Sequence, residues 1–152
     1  MNRLAFGAAA FLILPFSLLS AAQEKGNWRA DSSTAASITG DITISEAKIS
    51  INFVSFPLAQ IRRLQPAETS AIFDAESQPG GTGNLFRLNV PGAQRFLRHN
   101  TLCGSDDTEW MATYVAGRNL HVAFFSGADM PLFTPDALGN STSLCGTFSY
   151  VK

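Results

Sequence analysis

Hydrophobic positions follow two regimes along this chain. From Leu4 to Leu19 they are nearly continuous, including Phe6, Phe11, Leu12, Ile13, Leu14, Phe16, Leu18 and Leu19. Asn2-Arg3 places one positive charge before this run, and small Ser20-Ala21-Ala22 follows it, ahead of polar Gln23-Glu24-Lys25. A basic start, an apolar stretch and small residues that fit a peptidase are the order of a secretory signal peptide. The run is about 16 residues long, shorter than the ~20 that cross a bilayer as a helix. The expectation is a signal peptide over 1–22, removed after Ala22, and a single β-rich domain over 23–152.

Beyond residue 22 the apolar period is two. Ile38, Gly40, Ile42 and Ile44 alternate with Thr39, Asp41, Thr43 and Ser45, and Ile49, Ile51 and Phe53 alternate with Lys48, Ser50 and Asn52. This predicts a hairpin with one buried and one wet face, ended by Phe56-Pro57. Leu58, Ile61 and Leu64 stand three apart, which predicts a short helical turn. A short strand is expected over 71–75, a loop over Gln78–Asn84, and a strand from Leu85 to Val90 stopped by Pro91-Gly92. Residues 94–99 fit either strand or helix. The strongest hairpin pairs Thr108–Ala116 with Leu120–Ser126 across Gly117-Arg118-Asn119. Trp110, Ala112 and Tyr114 share one face of it, and Met111, Thr113 and Val115 the other. Val122 and Phe124 lie opposite His121, Ala123 and Phe125. Both faces are apolar, so the hairpin is expected to sit centrally or to line a cavity. Leu144–Val151 is the closing strand.

About seven or eight short strands and little helix predict an all-β fold, a small antiparallel β-barrel or sandwich. A barrel is favoured because closure leaves no open sheet edge.

Charge and cysteine content narrow the setting. Without Arg3, the eleven Lys+Arg become ten against twelve Asp+Glu, a formal charge of −2. This balance gives no footprint for nucleic acid or an anionic membrane, and no stable membrane insertion is expected after cleavage. The two cysteines, Cys103 and Cys145, both follow the leader. In an oxidising compartment such a pair is expected to form one disulfide. The predicted location is periplasmic or secreted.

No catalytic, metal or cofactor site is expected. His99 and His121 are the only histidines, and there is no Gly-x-Ser-x-Gly elbow to supply a nucleophile. Asp106, Asp107 and Glu109 lack the glycine turn and distal glutamate of a calcium loop. Gly80-Gly81-Thr82-Gly83 leads into a strand rather than the helix that a phosphate loop requires. Asn140-Ser141-Thr142 matches a glycosylation acceptor but is taken as chance in a bacterial export setting.

The aromatic residues are the most suggestive group. Three of twelve Phe (Phe6, Phe11 and Phe16) fall in the leader, leaving nine beside Trp28, Trp110, Tyr114 and Tyr150. Gly26-Asn27-Trp28 resembles the Gly-x-Trp of the first lipocalin strand, and a meander of hairpins follows it over a length near that of compact calycins. Thr108-Glu109-Trp110 lies where that family shows Thr-Asp-Tyr. The resemblance to a small exported lipocalin-like (calycin-type) barrel implies an apolar cavity and a cation over the tryptophan, for which Arg118 is the candidate. A cavity would be lined by Trp28, Trp110, Tyr114 and Phe124.

The expected function is a non-enzymatic binding module for a small apolar ligand. The alternative is a protein-interaction module, such as an inhibitor of a secreted hydrolase or an envelope accessory factor, presenting loops 76–84 and 127–143.

Overall fold

The computed structural model describes residues 23–73 and 80–152. The predicted signal peptide, and part of the loop expected before Leu85, lie outside the described residues. Eight strands form a closed antiparallel barrel in simple meander order. They are β1 Gly26–Ala30, β2 Ile42–Ile44, β3 Lys48–Ile51, β4 Val54–Leu64, β5 Thr82–Val90, β6 Thr108–Ala116, β7 Asn119–Ser126 and β8 Leu144–Val151. Pairing of Arg29 with Val151 and of Ala30 with Tyr150 closes the ring. Three short helices, α1 Ser33–Ile38, α2 Pro66–Phe73 and α3 Pro135–Gly139, interrupt the meander.

The faces of the β6–β7 hairpin follow the sequence alternation. Met111, Val115, Leu120, Val122 and Phe124 join Trp28, Ile42, Ile49, Ile51, Phe86, Leu88, Phe148 and Tyr150 in one buried cluster. Eight strands give an interior just wide enough for side chains to fill, and these residues fill it. The other apolar face is buried from outside. Leu85, Trp110, Ala112, Ala123 and Phe125 pack with Leu64, Ile72 and Phe133, contributed by the end of β4, by α2 and by the loop before α3. Two-sided burial therefore marks a strand pair held between a core and an outer cover.

Four segments differ from the sequence expectation; the simplest is Thr82–Asn84, expected as loop, which opens β5 through pairing with β4 and β6. Ile38 ends α1 rather than opening a strand. Ser32 caps α1 by accepting from the Ala35 amide at 3.1 Å, and Gly40, with φ of +62°, stops it. These are ordinary helix start and stop signals, which the isoleucine alternation hid. Leu58–Leu64 is strand. The β4–β5 register shifts between Gln60 and Arg62, leaving Ile61 unpaired. Such a bulge changes apolar spacing from two to three and so imitates a helical turn. Ile72-Phe73 ends α2 rather than centring a strand. Pro66 opens that helix, and the Glu68 carboxylate folds back to accept from the Gln65 amide at 2.9 Å, the reciprocal half of a capping box.

Candidate functional site

Loops at one end of the barrel form a built rim. β3 and β4 are joined by only Asn52-Phe53, between the paired residues Ile51 and Val54. Both turn residues have positive φ, 47° and 67°, the conformation of a two-residue hairpin turn that favours Asn-Gly. Phe occupies the glycine position here, and its side chain is fully exposed. Left-handed backbone at such a residue costs about 1–2 kcal/mol.

Beside it lies a cleft of about 350 Å³, whose lining includes Thr39, Asp41, Ser50, Phe53 and Leu97. Leu97 opens a 3-10 turn, Leu97–His99, in which Arg98 and His99 also have positive φ, 54° and 62°. Among the described residues, the four non-glycine residues with positive φ are Asn52, Phe53, Arg98 and His99. All four lie along this cleft or in the turn that walls it. Backbone strain persists only where surrounding structure enforces it, and the surroundings here are firm. Asn100 donates from Nδ2 to the Ser37 carbonyl at 3.1 Å, pinning the turn to α1. Phe96 packs edge-on against Phe56, with ring centroids 6.1 Å apart. The Ala30 amide donates to Asp41 Oδ1 at 2.9 Å. Cys103 and Cys145 form the disulfide, which ties the long β5–β6 connection to the start of β8. Arg95, Arg98 and His99 are exposed on that connection.

The opposite end of the barrel is closed. Lys152 Nζ lies 4.4 Å from the centroid of the Trp28 ring and donates to the Lys25 carbonyl at 2.8 Å. The cation over the tryptophan is thus Lys152, not Arg118. Arg118 acts one step away, donating from Nε to the main-chain oxygen of Lys152 at 2.8 Å. Nothing in the spacing of Lys152 from Trp28 marks this pair; ring closure through β1 and β8 creates it.

The four aromatic residues expected around a cavity divide between two sides of the wall. Trp28 and Phe124 are packed inside the barrel. Trp110 lies on the outer wall, with the Arg87 guanidinium 4.4 Å from its ring centroid and its indole N–H donated to the Gly127 carbonyl at 3.0 Å. Tyr114 stacks outside between Phe73 and His121, with ring centroids 6.4 and 6.3 Å away. These residues do not line one pocket. Phe53 completes a period-two run, a pattern that marks a strand residue and hides its place at the hairpin tip.

His121 does have a hydroxyl neighbour, with its Nδ1 3.1 Å from Ser149 Oγ. The two are directly paired across β7 and β8, so register alone brings them together. Burial lowers the His121 pKa, while the charge of Asp31 pulls it upward. Among the described residues no carboxylate forms an ion pair with His121. Nor do three or more His, Cys, Asp or Glu gather in a metal-binding group among the described residues, and no helix there is long and apolar enough to cross a membrane. In comparisons with known proteins, no family model, no curated protein and no solved structure matches this chain.

Proposed function

We propose that this chain is an exported, non-enzymatic binding module that engages a protein partner through the rim around Phe53. One observation carries the reading: a fully exposed phenylalanine held in left-handed backbone at a hairpin tip. Stability alone disfavours both features, since exposed apolar area gains nothing from folding and the turn would prefer glycine. A large apolar side chain on a rigid tip is the form of an interface anchor that inserts into a partner's pocket. The exposed Arg95, Arg98 and His99 favour a partner surface with carboxylates around that pocket. A small apolar ligand along the barrel axis has less support, because Trp28, Phe86, Phe124 and Phe148 occupy that space.

The site is tested by placing a photo-crosslinking phenylalanine at position 53 and, separately, at Arg118 on the opposite end. In the producing cell, position 53 is expected to yield a discrete protein adduct and position 118 none. Equal adducts from both positions, or none from 53, sink the reading. The non-enzymatic part is tested with a fluorophosphonate probe, which is expected to leave the protein unmodified. Labelling of Ser149 that disappears in His121→Gln would make the pair a nucleophile and its base.

A further inference from the structure

At the closed end, Glu24 is wholly buried. Its Oε1 accepts from Asn84 Nδ2 at 2.7 Å and from Thr113 Oγ1 at 2.7 Å. Its main-chain oxygen accepts from the Trp28 indole N–H at 2.7 Å. Glu24 therefore anchors the start of the domain to β1, β5 and β6 together. Its second carboxylate oxygen, Oε2, is also buried and has no hydrogen-bond partner among the described residues. Leaving a buried acceptor unsatisfied is costly, more so if it is charged, and buried charges are as a rule paired.

Three side-chain cations at this end are committed elsewhere, while Arg63, paired with Asn84 across β4 and β5, and Lys48 are exposed to water. Lys25 Nζ contacts Glu46 at 2.5 Å. Lys152 covers Trp28 and bonds the Lys25 carbonyl, and Arg118 holds the main-chain oxygen of Lys152. One further cation is implied by the sequence. Ser20-Ala21-Ala22 is the expected peptidase site, and cleavage after Ala22 turns the Gln23 amide nitrogen into an α-ammonium one residue from Glu24.

We propose that this new ammonium pairs with Glu24 Oε2, so that processing supplies the charge which the buried carboxylate lacks. The inference rests on the export reading and not on the Phe53 rim. It makes the closed end a processing-sensitive lock. Before cleavage the same nitrogen is a neutral amide, and Glu24 stays half satisfied; after cleavage the first two residues are tied into the barrel.

The exported protein tests this directly, and its intact mass is expected to show a start at Gln23 with a free amine. Glutaminyl cyclase, applied to the unfolded chain before refolding, removes the charge. The α-amine attacks the side-chain amide carbon, a lactam C–N bond forms and ammonia leaves. The carbonyl oxygen is kept. Refolded pyroglutamyl protein is expected to melt ~4 °C or more below the identically refolded free-amine form. In Glu24→Gln the same conversion is expected to shift melting by less than ~1 °C. A start at any other residue, or equal shifts in both proteins, overturns the proposal. Should Glu24→Gln not fold, acylation of the wild-type α-amine decides. It is expected to be at least ~10-fold slower than in a peptide of the same first residues, a factor worth about 1.4 kcal/mol. Equal rates overturn the proposal.

Discussion

Phe53 gives the clearest residue-scale contrast between what stability favours and what the chain contains. Phe53→Gly removes a side chain that packs against little and places in the turn the residue that its φ of +67° prefers. Relief of strain outweighs the added freedom of the unfolded chain, so the variant is expected to gain about 1 kcal/mol, read as a higher urea midpoint. An equal loss would mean that the ring supports the fold. His121 provides a second contrast, through pH. Its folded pKa lies below the ordinary histidine value, first because of burial, with Asp31 opposing. As pH falls below about 6.5, the unfolded chain therefore takes up the proton first, and stability declines with it. Melting temperature is expected to drop between pH 7 and pH 5, with a flatter profile in His121→Gln. Identical profiles would show that other groups set the slope.

Helix α2 decides how the outer wall is covered, and Gly83 decides how closely α2 can lie. A Cβ at Gly83 would stand 2.4 Å from Thr69 Cγ2 and 2.9 Å from the Thr113 carbonyl. Gly83→Ala is expected to push α2 outward and cost about 1–3 kcal/mol, with near-UV circular dichroism reporting the loosened Phe73–Tyr114 stack. An unchanged spectrum and midpoint would show that α2 moves freely. Elements of this kind were the least legible in the sequence. The β6–β7 hairpin was readable because unbroken alternation over both strands leaves one solution. Helices α1 and α2 were hidden by chance period-two and mixed apolar spacing, although Ser32, Gly40, Pro66 and Glu68 carried their start and stop signals. The bulge at Ile61 depends on pairing with β5, a partner far along the chain, so local spacing pointed to the wrong period. The rim was illegible for the same reason. Asn52-Phe53 is adjacent in sequence, but Leu97 reaches the same cleft only after the barrel closes.

At the scale of the whole molecule, the disulfide and the rim form one mechanical unit. Cys103 lies in the connection that also carries Leu97, and Cys145 is the second residue of β8. The bridge spans 42 residues of sequence, and a crosslink of that length stabilises by about 4 kcal/mol in the chain-entropy model. The barrel ladder runs through β6, β7 and β8 without the bridge, as the pairs from Thr108–Ser126 through Asn119–Val151 show. Replacing both cysteines with alanine should therefore lower global stability while the barrel still closes. The local effect should be uneven. Residues 91–107 contain no strand, and without the bridge their hold on the barrel rests on the Asn100–Ser37 bond and the packing of Phe96 and Leu102, so this connection should open first. Amide exchange is expected to accelerate most at 91–107 in the double variant, with β6 and β7 still the slowest segments. If protection fell evenly across all strands, the bridge would be holding the barrel as a whole, and the rim would owe its rigidity to the sheet beneath it.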